Sequence, residues 1–316
     1  MVDAQLTGIL PRSNEHIKAT WNFDKDLIGE DEFREKIRKD VKSVVELQKN
    51  AGFECLMDGM FLWQDIFRPF TENVEGMSAG ALVRWFDNNT FFRKPMIEKL
   101  HPEDHDLFLH KYVHLQLLPQ EYCKKVVLPG PYTFAALSSK KDDSEIMLVL
   151  AEILAKEIKG LEDKGVSIFQ FNEFSLVQRE LSREVMEDVK QAYKIIRKEV
   201  EGKVILHTCF GDAEWAIPYF LDFPVDYVGI DFFSTEFKDI KKIKFGKGLL
   251  CGCVDSRNSF LESVDSILFF VENIQKSMRP KDIILSPTCD LEFLPKKVAE
   301  EKVKILGEVK RKLGGR

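Results

Sequence analysis

Short unbroken apolar runs alternate along this chain with longer stretches in which apolar residues recur every three or four positions. The runs cover 6–10, 53–57, 125–128, 167–171, 204–207, 227–231, 249–254 and 283–285. An apolar run without polar alternation predicts a strand covered on both faces. The stretches of helical period cover 31–50, 144–164, 184–200, 261–276 and 299–313. Strands separated by helices imply parallel pairing through helical crossovers. Eight such units within 316 residues predict an α/β protein, a single (β/α)8 TIM barrel over 1–316, with a doubly wound open sheet as the alternative.

The connection after the second run breaks this rhythm. Residues 59–122 hold Phe61, Trp63, Phe67, Phe70, Trp85, Phe86, Phe91 and Phe92, and are expected to form a helical, aromatic-rich insertion. In a barrel this segment leaves the carboxyl end of a strand, the face on which active sites are built, so it would serve as a lid or docking surface. The plainer expectation is that most of these rings form a small core of their own.

Composition narrows the class. With 44% hydrophobic and 31% charged residues the chain can bury a sizeable core, and a net charge of −6 offers no basic surplus for nucleic acid or an anionic membrane. The amino terminus lacks the basic flank and apolar run of a signal peptide, and no apolar stretch has the length of a membrane span. A cytoplasmic protein is expected, with the six cysteines (Cys55, Cys123, Cys209, Cys251, Cys253 and Cys289) kept as thiols.

Four residues of zinc-ligand type stand where strands should end: His207, Cys209, Asp231 and Cys289. His207 and Cys209 are two apart, which puts both side chains on one side of an extended chain. Ligands spread over more than eighty residues suggest a catalytic zinc assembled by the fold rather than a zinc finger with close cysteine pairs. Singly, each has a plainer role: a buried Cys as a small hydrophobe, an Asp as a cap, a His satisfied in the core. Cys251 and Cys253 are read as core, because the other four complete a tetrahedral set. His101, His105, His110 and His114 are spaced by four within each pair, but the acidic residues around them favour a solvated surface helix.

The sequence resembles a known family. LHTCFGD around His207, GIDFF around Asp231, GCVDSRNSFLES at the seventh run and LSPTCDLEFLP around Cys289 are similar to the catalytic half of cobalamin-independent methionine synthase. LPGPYTF and FQFNEFSL resemble that family's TGPxT and QIDEPAL motifs, and the likeness runs in order from GILPRS to the last helix. It implies a barrel of the uroporphyrinogen decarboxylase superfamily, with zinc held by His207, Cys209, Asp231 in place of a Glu, and Cys289. It further implies methyl transfer to homocysteine from a methylfolate or a corrinoid. The metal activates the acceptor by taking its thiol as thiolate, and the ligands carry no protons themselves.

Two substrate positions depart from the family. Asn172 stands for the Asp that helps hold the amino group of homocysteine, beside a retained Glu173, and Met60 aligns with the second carboxylate. Asp58, Asp65 or Glu173 would then substitute, while Asn172 is equally suited to a structural hydrogen bond. Three rivals follow: zinc-dependent transfer to another small thiol, a metal-free decarboxylase-like lyase using Arg68, Arg179 and Arg257, and a noncatalytic protein with structural zinc. Product formation from a methyl donor separates the last from the transferases.

Overall fold

The computed structural model describes residues 2–103, 105–141 and 143–314. Its strands are β1 (Val2–Ala4), β2 (Cys55–Leu56), β3 (Met77–Arg84), β4 (Phe91–Ile97), β5 (Cys123–Pro129), β6 (Ile168–Asn172), β7 (Lys203–His207), β8 (Tyr227–Asp231), β9 (Gly248–Val254) and β10 (Ile283–Pro287). Among the described residues, eight of these form one parallel sheet in the order β1-β10-β9-β8-β7-β6-β5-β2. The expected barrel architecture is thus present, with the two outermost strands of that order brought together by the Asp3 carboxylate, which accepts the Glu54 N–H at 3.2 Å.

Six of the eight predicted runs fall on their strands to within two residues at either end. The second shrinks to two residues, and the first is displaced, since β1 occupies Val2–Ala4 and 6–10 leads away from it. Its buried side chains nevertheless reach the core, which is why the run looks strand-like: Leu6, Ile9 and Leu10 are all buried.

The crossovers are helices with apolar inner faces, and two of them start at a side-chain cap. Asp143 caps α5 (Ser144–Glu162) through Ile146 N–H, and Ser182 caps α6 (Arg183–Glu199) through Val185 N–H. In α6 the buried residues Met186, Val189, Ala192, Tyr193 and Ile196 recur at helical spacing, so one stripe packs on the barrel. Helices α2 (Glu30–Asn50), α9 (Val264–Ser277) and α10 (Lys296–Gly314) complete the predicted set.

The insertion corrects one expectation. It does follow β2 and is rich in buried aromatics, but its main regular element is the antiparallel hairpin β3–β4, with a six-residue helix α3 (Arg68–Asn73). Phe91 and Phe92 alternate exposed and buried, the period of a strand that aromatic content alone does not reveal. Phe67, Phe70, Trp85 and Phe92 pack on one another and on Phe134, as the plainer expectation required.

Two further corrections concern cysteine and histidine. Cys55 and Cys123 are disulfide-bonded, because they are register partners on the adjacent strands β2 and β5. The other four cysteines are free and buried. The histidines from 101 to 114 do not lie on a surface helix. His105 is buried against Glu157 at 3.2 Å and His114 against Asp58 at 3.5 Å, so one histidine of each pair is held by a carboxylate, while His101 is exposed.

Lys125 on β5 is buried and donates to the Leu6 carbonyl at 2.8 Å. Burial pushes its ammonium down from 10.5 to about 7, with the charge of Asp3 opposing, and His207 also feels its charge. Between those values the unfolded chain holds the proton that the folded one has lost, so stability rises with pH there. Lys125→Met should remove a rise of a few kcal/mol between pH 7 and pH 9.5. Urea unfolding of both proteins at the two pH values measures it, and parallel pH slopes would contradict the assignment.

Candidate active site

The four residues singled out as ligands all emerge at the carboxyl ends of barrel strands, where the chain turns out of the sheet toward solvent. His207 ends β7, Cys209 follows two residues later, Asp231 ends β8, and Cys289 lies two residues beyond β10. All four are buried. Gly229, the register partner of His207 on β8, makes room for the ring, since a Cβ there would sit 2.7 Å from His207 Cδ2.

His207 is held by a defined set of bonds. Asn172 is its register partner on β6, and His207 Nδ1 lies 3.2 Å from Asn172 Oδ1. Gln170 Nε2 donates to the Thr7 carbonyl at 2.8 Å and to Asn172 Oδ1 at 2.7 Å. Those two bonds use both amide hydrogens of Gln170, so its 3.1 Å approach to His207 Nδ1 carries no third donation. Nδ1 is therefore the protonated nitrogen and donates to Asn172, leaving Nε2 without a hydrogen bond of ordinary geometry, although the Thr288 backbone also acts on the ring. Burial and then the charge of Lys125 push the imidazole down to about 3, so it stays neutral. Gln170 was missed in the sequence, although the alternation of FQFN places it on the same face as Asn172.

The sulfurs and the carboxylate form a second group. Cys209 Sγ donates to Asp231 Oδ2 at 3.3 Å. The Cys209 and Cys289 thiols also touch, and Thr288 Oγ1 lies 3.9 Å from Cys289 Sγ. Burial pushes both thiols up, with nearby negative charge adding to the effect at Cys209. Asp231 is heavily engaged: Phe233 N–H donates at 2.9 Å, Ser234 Oγ at 2.7 Å, and Arg257 Nη2 approaches Oδ2 at 3.1 Å. Arg257 was weighed in the sequence only as a lyase residue, whereas the fold pairs it with Asp231 and Asp255.

Among the described residues, no three His, Cys, Asp or Glu side chains already converge as a metal cage. The donor chemistry nevertheless fits zinc: a buried imidazole whose Nε2 makes no hydrogen bond of ordinary geometry and two adjacent thiols beside a carboxylate. Cys251 and Cys253 lie inside β9, buried in the core, with Cys253 Sγ 3.9 Å from the Ser286 carbonyl.

The candidate substrate carboxylates lie in different settings. Glu173 accepts from Tyr132 N–H at 3.1 Å and Thr133 N–H at 2.8 Å, capping α4 (Pro131–Leu137). Burial outweighs those bonds and pushes it up to about 7. Asp58 accepts from Met60 N–H at 3.0 Å and His114 N–H at 2.9 Å, and Met60 is buried with a φ of 58°. Asp65 accepts from Phe67 N–H and Arg93 N–H at 2.9 and 3.1 Å, and its carboxylate borders a small cavity with Asp290 and Glu292.

Aromatic rings join the insertion to this rim. Phe86 stacks on Phe210 at 5.0 Å, Phe210 meets Phe174 at 5.3 Å, and Phe174 meets the His207 ring at 5.5 Å. The Arg257 guanidinium lies 5.7 Å from the Phe210 ring centre.

Comparison with known proteins agrees with this geometry. The profile of the family described as "Cobalamin-independent synthase, Catalytic domain" matches residues 4–312. A methionine synthase of Pyrococcus abyssi is 27% identical over 284 residues, covering 87% of this chain and 82% of the relative. One of Sulfolobus acidocaldarius is 25% identical over 284 residues, covering 87% and 81%. The fold is similar to that of a B12-independent methionine synthase from Shewanella sp. W3-18-1, with a TM-score of 0.82 at 17% identity over 99% of this chain and 98% of the other. A methyltransferase from Methanosarcina mazei is similar in fold with a TM-score of 0.60 at 15% identity, covering 98% of this chain and 94% of the other.

Proposed function

Because the chain belongs to the family of the cobalamin-independent synthase catalytic domain, we propose that it methylates the sulfur of homocysteine to give methionine, using zinc. It is a methyltransferase of the methionine-synthase type. Acceptor, metal and donor are our reading of its residues. The observation that carries this reading is the delivery of His207, Cys209, Asp231 and Cys289 to one rim, with His207 Nε2 making no hydrogen bond of ordinary geometry.

In this reading His207, Cys209 and Cys289 hold the ion, and Asp231 is the fourth and most exchangeable ligand. When bound, zinc takes the acceptor as thiolate near neutral pH. Asn172 and Gln170 fix the ring of His207, and Arg257 and Ser234 orient the Asp231 carboxylate. The thiolate sulfur attacks the methyl carbon, a carbon–sulfur bond forms, the bond to the donor nitrogen breaks, and that nitrogen takes up a proton. A family described as cobalamin-independent gives a corrinoid donor no support, so we take a methylfolate as donor.

We read residues 1–316 as one domain and the insertion over 59–122 as its lid. Stacking of Phe86 on Phe210, the residue after Cys209, supports that role, because closure there would keep water from the reacting thiolate. A different small thiol is the second reading, favoured by Met60 and Asn172 at the family's two amino-group positions. The lyase is disfavoured because Arg68 and Arg257 already face carboxylates.

The test is zinc content of the purified protein, the sulfur count around the metal by X-ray absorption with and without homocysteine, and methionine formed from a methylfolate. One zinc per chain, one added sulfur and methionine are expected. Absence of both zinc and product would sink the proposal.

A further inference from the structure

At the amino ends of the barrel strands, on the face opposite the candidate zinc rim, opens a cavity of about 490 Å³. The Cys55–Cys123 disulfide forms part of its wall, beside Ser167, Lys203 and Tyr227. Among the described residues Cys123 is the one cysteine that is not buried, whereas Cys55 is 3% exposed. Ser167 Oγ lies 3.3 Å from Cys123 Sγ, and because a disulfide sulfur carries no hydrogen the hydroxyl is the donor. Lys203 Nζ reaches the Tyr227 hydroxyl at 3.3 Å, so an ammonium stands at the same wall. The bond also closes a particular loop. It spans 68 positions, and the insertion over 59–122 lies wholly inside it. The strand β2 that carries Cys55 pairs, among the described residues, with β5 over two register positions, Cys55 with Cys123 and Leu56 with Lys124. So short a ladder leaves the base of the insertion tied largely by the covalent link, helped by the Asp3 bond to Glu54 and the Gln48 bonds to Met57.

We propose that this cavity is a thiol–disulfide exchange site for a small zwitterionic thiol, and that reduction there releases the base of the insertion. The volume is that of a small-molecule pocket, and walls carrying the Lys203 ammonium and the Glu201 and Asp282 carboxylates match a ligand with charges of both signs. The ligand thiolate attacks Sγ of Cys123, the more exposed sulfur; the Cys55–Cys123 bond breaks, and Cys55 leaves as a thiolate that takes up a proton. A second ligand thiolate attacks the ligand sulfur of the mixed disulfide. Cys123 then leaves as a thiolate, meets the Ser167 hydroxyl and is protonated in turn. Two ligand thiols are thereby oxidised to one disulfide, and the protein disulfide gains two electrons and two protons. Without the link the enclosed loop regains chain freedom, so the insertion opens more often. None of these steps involves zinc or a methyl donor, and the zinc-rim thiols Cys209 and Cys289 are fully buried at the other end of the barrel.

Glutathione, a zwitterionic thiol, is the probe. The full chain is equilibrated in native buffer with mixtures of reduced and oxidised glutathione, alkylated and mapped by mass spectrometry, and amide hydrogen exchange is followed on the same samples. As the reduced form rises, Cys55 and Cys123 should gain label together, and exchange within 59–122 should quicken about tenfold or more while the strands β6 to β10 stay as protected as before. Cys55→Ser leaves Cys123 without its partner and should take up one glutathione at Cys123 while folded. The double variant Cys55→Ser/Cys123→Ser should show the fast exchange at every ratio. A bond that resists glutathione until urea unfolds the chain overturns the proposal, as does a pair of free thiols at every ratio. Reduction that leaves 59–122 exchanging as slowly as before, or a folded Cys55→Ser variant whose Cys123 stays unmodified, overturns it equally.

Discussion

Replacing Cys209 or Cys289 by Ser is expected to remove most bound zinc and all measurable methyl transfer while leaving the barrel folded. Both residues lie beyond the ends of β7 and β10, so the ladders of the sheet do not depend on them. Both are fully buried, yet Ser is close in size and leaves no large cavity. An alcohol is a far weaker ligand than a thiolate. Changing groups that merely orient ligands already costs ten- to a hundredfold in metal affinity, so loss of a ligand should exceed about a hundredfold. Zinc per chain, circular dichroism and product formation on the same preparations measure the three parts separately. Full zinc occupancy in both variants would defeat the ligand assignment.

Asp231→Ala is expected to retain substantial zinc on His207, Cys209 and Cys289 but to lose turnover by several orders of magnitude. Asp231 holds together more than a ligand position: Cys209, Phe233 N–H, Ser234 and Arg257 all converge on its two oxygens. The alanine variant leaves the Arg257 guanidinium facing two thiols with no carboxylate between, which changes the charge that an incoming thiolate meets. Asp231→Glu should keep activity, since the family resemblance implies a Glu as third ligand, provided the longer arm still reaches Ser234 and Arg257. Zinc content and turnover of both variants settle it. A fully active alanine variant would reduce Asp231 to a cap of the turn at 231–235, whose backbone bonds Ser234 and Thr235 already make to its carbonyl.

The barrel was legible because its signal is local. An uninterrupted apolar run and a helical stripe each arise from a few consecutive residues, and the alternation of the two dictates parallel crossovers. The insertion was legible only as an interruption. Its hairpin, with exposed Leu82, Val83 and Phe91, carries no clean alternation of apolar and polar residues, so a strand pairing remote from the main sheet left little trace. The histidines from 101 to 114 misled for a related reason. Regular spacing suggested a helix, but the Glu157 and Asp58 carboxylates that hold His105 and His114 come from elsewhere in the chain.

By itself the sequence determined which residue types stand at strand ends: an imidazole and two thiols with a carboxylate, in an order that carries the family resemblance. Residue type and strand position follow from chain-local pattern, and they suffice to name donor atoms. Only the tertiary structure decided which of those atoms are committed. It spent the carboxylates of Asp58 and Glu173 on backbone N–H groups, bound Asn172 to His207, and disulfide-linked Cys55 to Cys123. A hydrogen bond or charge pair is decided by distances of a few ångströms between residues tens to hundreds of positions apart, and no local period records such a distance.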